Sequence, residues 1–262
     1  MNKMSAWLNL LQKEIRMTRN SALLTLAILL AGGLWLVYLS FSRSIGIIFV
    51  PAAMLLVVLL FYPAIYMLKS LAWEFKVAPH LWLHCPQPAW MLITAKLAVA
   101  MAQMLAIIII AAGMLLLGVI INPQPEQLAG IDFSTLLLFI MEAGTYAAVF
   151  TVAASIYIGA WGALIAVAFA IAGNYLGRFR WLAGIAVFIA ATAGFSRLQE
   201  TWLYKQITDW GAINIGIQNL PLVSPTHINA AQIFAGDILV YSLLTVGLFA
   251  LSAWLIDHKV EV

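Results

Sequence analysis

The sequence predicts an all-α integral membrane protein, a helical bundle of six spans. Three observations carry that reading. Of the 262 residues 65% are hydrophobic and 9% charged, and the mean hydropathy of +1.02 lies far outside the range of soluble globular domains. The apolar residues gather into runs that match the roughly 20 helical residues a bilayer core requires. Lys and Arg cluster at particular ends of those runs. A net charge of +3 is small, and no nucleic-acid partner is expected. The single cysteine, Cys85, excludes an internal disulfide. The first apolar run begins only at Ala22 and is long enough to span, so the N-terminus is expected to be retained.

Taken in order, residues 4–19 ("MSAWLNLLQKEIRMTR") place Met4, Trp7, Leu8, Leu11 and Ile15 on one helical stripe, with Asn9, Gln12, Lys13 and Arg16 pointing elsewhere. This predicts an interfacial helix in the headgroup plane, with Trp7 at the interface and the cations toward anionic membrane lipid; the alternative is a plain helical run-in to the first span. Spans follow at about 22–39 and 46–68, joined by "SFSRS". A third run, about 91–121, exceeds one bilayer thickness and ends at "NPQPEQLAGID".

Residues 133–172 read either as two spans or as one, about 146–172, preceded by an apolar interfacial segment. The basic residues favour one. Spans at about 182–196 and 237–256 then follow, with an external segment at 197–236 expected to form short helices on or in the outer leaflet. In that arrangement Lys3, Lys13, Arg16, Arg19, Lys69, Lys76, Lys96, Arg178, Arg180 and Lys259 are cytoplasmic, and Arg43, Arg197 and Lys205 are not. The expected location is the plasma membrane with both termini cytoplasmic.

No GxxxxGK[ST], HExxH or GxSxG motif occurs, so neither ATP hydrolysis nor a membrane protease or lipase has visible machinery. His80 and His84 stand at i and i+4 with Glu74 nearby, but a catalytic zinc needs a third ligand and none is at hand; no metal is expected. Glu142 is the one acid inside an apolar run, a candidate functional group by its position or simply a solvated one at the interface. Small residues through "AAVFTVAASIYIGAWGALIAVAFAIAG" allow close helix approach, within the chain or to a second copy.

The segment 73–88, "WEFKVAPHLWLHCPQP", differs from the runs on either side. Pro79 can open a short helix, and Pro86 and Pro88 stop it. Too short to span, it would lie at the membrane surface and offer Phe75, Leu81, Trp82 and Leu83 to lipid or protein.

Glu74, Trp82, Leu83, Pro86 and Lys96, in that order after the second span, resemble the coupling helix of ABC-2 type transporter permeases. The ending "SAWLIDHKVEV" is similar to the "LxDRKVEV" close of small Gram-positive permeases, with His258 in place of arginine, and "GRFRW" fits their pattern. The resemblance implies an ABC-2 type, type V exporter-like bundle that works as a half transporter. Its partners would be a separate ABC ATPase subunit, which binds the ATP and Mg, and a second permease copy or paralogue. This chain would bind no cofactor and catalyse no reaction. The ATPase-coupling interface would comprise Trp73, Glu74, Phe75, His80, Leu81, Trp82, Leu83 and Pro86, together with Trp7, Leu11 and Ile15. Among such permeases the chain looks similar to phenol-soluble modulin exporters, which implies an amphipathic or hydrophobic cargo. A non-transporting sensor with an ATPase partner, and an integral membrane enzyme using Glu142 or the histidines, are the rival readings.

Overall fold

Long apolar runs fold as long helices, even across Pro51 and Pro63, because only a helix satisfies its own backbone in hydrocarbon. The computed structural model describes residues 3–42, 46–77, 87–121, 133–176, 180–217 and 228–259. Its elements are α1 (Lys3–Ser42), α2 (Gly46–Val77), α3 (Ala89–Ile121), α4 (Phe133–Leu176), α5 (Arg180–Gln199), α6 (Trp202–Thr208), β1 (Ala212–Ile217), β2 (Ile228–Phe234) and α7 (Ala235–Lys259). Five of these, α1 to α4 and α7, are long and apolar enough to cross a membrane. The sixth expected span lies in α5. Its apolar part, Gly184–Gln199, is about 24 Å long at 1.5 Å per residue, shorter than a ~30 Å bilayer core.

Two expectations need correction. Residues 4–19 do not form a separate helix in the headgroup plane: they continue unbroken into the first span as the 40-residue α1, about 60 Å long, and pack along α3. No proline or glycine interrupts residues 4–22, so nothing forces a bend. The face that α1 buries holds Ala6 and Glu14, with Trp7 and Leu11 half-buried; Met4, Leu8 and Ile15 of the expected stripe are exposed. The external segment is the second. Its described residues form one short helix, α6, and then an antiparallel pair of β1 and β2, from Ala212↔Phe234 to Ile217↔Ile228 with an irregularity at Ile215/Gly216. Alternating isoleucines in "AINIGI" favour a strand, and Gly211, at φ +69°, supplies the left-handed turn into it. Residues 133–176, where one span or two were possible, form the single helix α4.

Three apolar layers stack along the bundle. At one end Met67 and Leu71 of α2 meet Ala89 and Ile93 of α3, Ala163, Ala166 and Val167 of α4, and Ala253 and Ile256 of α7. Midway, Leu59 packs with Met104 and Ile107, and Leu26 and Leu29 of α1 lie against them. At the far end Val119 packs with Leu136 and Ile140. The small residues of α4 are used inside the chain: a Cβ on Gly162 would stand 2.8 Å from the Cα and carbonyl oxygen of Ala64, so only glycine lets α4 approach α2 this closely.

A run of edge-to-face rings joins the remaining helices. Trp161 of α4 meets Phe188 of α5, Tyr157 meets Trp161 and Tyr241 of α7, and Phe195 meets Tyr204 of α6. The start of α1 and the end of α7 both come to the first layer. Trp7 Nε1 donates to Thr94 Oγ1 at 3.3 Å, and Asp257 Oδ1 accepts from the Ala89 amide at 3.3 Å, capping the start of α3. We call this the basic end, since Lys13, Arg16, Arg19, Lys69, Lys76 and Lys96 all lie there.

Candidate functional site: a buried charge network at the basic end

Lys96 is the only charged residue of α3. Only 1% of it is exposed, and an ammonium taken out of water must be paired and hydrogen-bonded to remain charged. It donates hydrogen bonds to Glu14 Oε1 of α1 at 2.7 Å and to Ser70 Oγ of α2 at 2.7 Å, and forms an ion pair with Glu74 Oε1 of α2 at 2.9 Å. Both carboxylates are themselves buried, Glu14 to 5% and Glu74 to 7% exposure. One lysine against two carboxylates leaves a net charge of −1. Lys13, half-exposed on α1, comes to 3.7 Å from Glu74 Oε1 and brings the sum to zero.

A chain of hydrogen bonds leads from this network into the bundle, and every donor in it points toward Glu14. Tyr66 Oη donates to Glu14 Oε2 at 3.3 Å. Tyr62 Oη donates to Gln103 Oε1 at 2.7 Å, Gln103 Nε2 to Thr18 Oγ1 at 2.9 Å, and Thr18 Oγ1 to the backbone carbonyl of Glu14 at 2.9 Å. The Tyr66 bond ends on the Glu14 carboxylate and the Tyr62–Gln103–Thr18 chain on the Glu14 backbone carbonyl, and both end groups accept.

The spacing follows from helix geometry. Ser70 and Glu74 are one turn apart on α2, as are Glu14 and Thr18 on α1, so each pair shares a face. Gln103 stands two turns above Lys96 on α3. The apolar run of α1 starts at Ala22, eight residues above Glu14, and that of α2 ends at Leu68, six residues before Glu74. At 1.5 Å per residue the network lies about 9–12 Å beyond the apolar runs of these two helices.

Chemically the network is a latch: three helices are held by charge-assisted bonds and by few buried side chains of α1. It joins α1 to both stems of the segment between α2 and α3, since Glu74 is in the last turn of α2 and Lys96 in the second turn of α3. Among the described residues no group of three or more His, Cys, Asp or Glu is arranged to hold a metal ion.

The sequence-derived candidates divide. Glu74 belongs to the network and is buried against Lys96. Trp73 is 52% exposed at the same level, and Phe75 is half-buried against the first apolar layer. His80, Leu81, Trp82, Leu83 and Pro86 lie outside the described residues. Trp7 and Leu11 are half-buried, and Ile15 is exposed on α1. Glu142 is half-buried on α4 beside the far apolar layer, and the structure does not bring it to the network. His258 stacks on Trp254, with ring centroids 5.1 Å apart.

Sequence reasoning passed over Glu14, Ser70, Tyr66, Thr18, Gln103 and Tyr62. One signal was present. A lysine alone in an apolar helix demands an acid from a neighbour, and Glu14 and Glu74 are acids at that end. No family model, curated protein or solved structure matches the chain.

Proposed function

We propose that this chain is the membrane-spanning subunit of an ATP-driven exporter of the ABC-2 type, moved by a separate ATPase that docks on segment 73–88. The observation that carries the reading is the placement of the Lys96 network. Its members root both stems of that segment and clamp them to α1. A force applied between α2 and α3 is therefore delivered to three helices together, which is what a permease driven from outside the membrane requires. The order of Glu74, Trp82, Leu83, Pro86 and Lys96, and the ending "LIDHKVEV", support the same reading by resemblance.

In this proposal α5 completes a six-span arrangement with both termini cytoplasmic. Two copies, or one copy and a paralogue, enclose a path for a hydrophobic or amphipathic cargo such as an amphipathic peptide. ATP and Mg bind only in the partner. Alternation between inward-open and outward-open states requires α1, α2 and α3 to move as a unit at the basic end.

The test is purification from the native membrane in mild detergent, identification of co-purifying chains and assay of ATP hydrolysis. The expected result is an ATPase subunit at near one-to-one ratio that is lost when Trp82 and Leu83 are both replaced by Asp, since a desolvated aromatic anchor dominates small interfaces. A chain that purifies alone under conditions that preserve other complexes contradicts the proposal. An ATPase complex that hydrolyses ATP but accumulates no cargo outside the membrane replaces export with the sensor role.

A further inference from the structure

The charges left over once the network is neutralised form a surface of their own. Glu14 and Glu74 are buried and matched by Lys96 and Lys13, so neither acid contributes to the exterior of the basic end. Arg16 and Arg19 of α1 and Lys69 and Lys76 of α2 are all exposed. Arg16 and Arg19 are three residues apart on one side of α1, while Lys69, Trp73 and Lys76 follow i, i+4, i+7 along one side of α2. The 3.7 Å approach of Lys13 to Glu74 and the Tyr66–Glu14 bond tie α1 to α2 here, so both sets of cations belong to the same end of the bundle. Among the described residues at this end, Asp257 is the only exposed acid, and it is engaged with the amide that opens α3.

Depth identifies the partner. Arg19 and Arg16 precede Ala22 by three and six residues, and Lys69 and Lys76 follow Leu68 by one and eight. At 1.5 Å per residue they stand about 1.5 to 12 Å outside the apolar runs, a band that brackets the headgroup layer of roughly 5–8 Å. Trp73, half-exposed between the two lysines, has the amphipathic ring favoured at that level.

We infer that Arg16, Arg19, Lys69 and Lys76, with Trp73 between the lysines, form a binding surface for anionic phospholipid headgroups. Charge complementarity selects the occupant: four cations with no surface acid among them favour a phosphate-bearing anionic lipid over a zwitterionic one. Each cation near a membrane surface contributes about a fivefold preference. The inference does not depend on the transporter reading.

The test uses the full chain in nanodiscs of nine parts phosphatidylcholine to one part phosphatidylglycerol. Lipids retained after transfer to mild detergent are quantified by mass spectrometry. Wild type is expected to retain phosphatidylglycerol several-fold above its bulk share. The Arg16→Gln/Arg19→Gln/Lys69→Gln/Lys76→Gln variant should lose that enrichment, while Arg197→Gln/Lys205→Gln, at the opposite end, keeps it. In wild type the enrichment should also collapse between 50 mM and 0.5 M salt, a readout that stands even if the fourfold variant folds poorly. Equal retention of the two lipids by wild type, enrichment that survives the fourfold substitution, or enrichment indifferent to salt would each overturn the inference.

Discussion

Two helix contacts within this bundle are built on opposite principles. Between α2 and α4 the contact is dry and close: Gly159 and Gly162 lie against Pro63 and Ala64, with Ala163, Ala166 and Val167 fully buried beside Met67 and Leu71. Around α1, residues 4–22 fully bury only Ala6 and Glu14, and polar contacts come from Lys96, Tyr66, Gln103 and Thr94. Apolar packing of the first kind loses contact energy steadily as soon as the helices separate. A charge network of the second kind has discrete alternatives, since its partners can exchange for water or for one another. The difference teaches how each part is held: α2 and α4 form an apolar frame, and the first turns of α1 are latched to it by charged and polar side chains.

The largest expected effect comes from the latch. Lys96→Met leaves Glu14 and Glu74 buried and facing each other, and removing one partner from a buried ion pair costs about 3–5 kcal/mol. Thermal unfolding in detergent should register a large loss, and adding Glu14→Gln and Glu74→Gln to Lys96→Met should recover much of it. A triple variant no more stable than Lys96→Met would mean that the charges are not what is lost.

The frame comes next. Gly162→Val drives a branched side chain into the Ala64 backbone, and overpacking of this kind costs about 1–3 kcal/mol. Because Gly162 and Lys96 share no partner, their effects on unfolding should add; strong non-additivity would show that frame and latch are one unit.

Smaller effects sharpen the picture. Asp257→Ala removes the cap on α3. The loss should fall near the low end of the roughly 0.5–2 kcal/mol range for caps, because the bond is 3.3 Å long and the side chain is exposed. Tyr62→Phe removes the last donor of the chain that leads to Glu14, and intramembrane hydrogen bonds average about 0.6 kcal/mol. A Tyr62→Phe effect as large as that of Lys96→Met would shift the centre of the network from the lysine to the polar chain above it.

Much of the frame was legible in the sequence, and most of the latch was not. Hydropathy marks the helices because run length is a direct consequence of bilayer thickness, and the small residues of α4 announce close packing. The periodicity of residues 4–19 misleads for a physical reason: the apolar stripe of Met4, Leu8 and Ile15 is left on the exterior of the bundle, whereas Glu14, a polar position on that wheel, is drawn inward by Lys96. Glu74 and Lys96 were noticed through resemblance, but nothing in their spacing of 22 residues tells that they meet, since the intervening segment decides how the two helices return. The pairing of β1 and β2 was hidden by the aromatic, mixed composition of residues 197–236, which suits an interfacial helix equally well.

The most direct test of the latch is a distance measurement between spin labels at Leu8→Cys on α1 and Lys76→Cys on α2, in a Cys85→Ser background reconstituted in bilayers. With Lys96 in place the account predicts one narrow distance distribution. With Lys96→Met it predicts a broad or two-peaked one, while a label pair bridging α2 and α4 stays narrow. An unchanged α1–α2 distribution in the Lys96→Met protein would contradict the account, since α1 would then be held by something other than the charges that meet at Lys96.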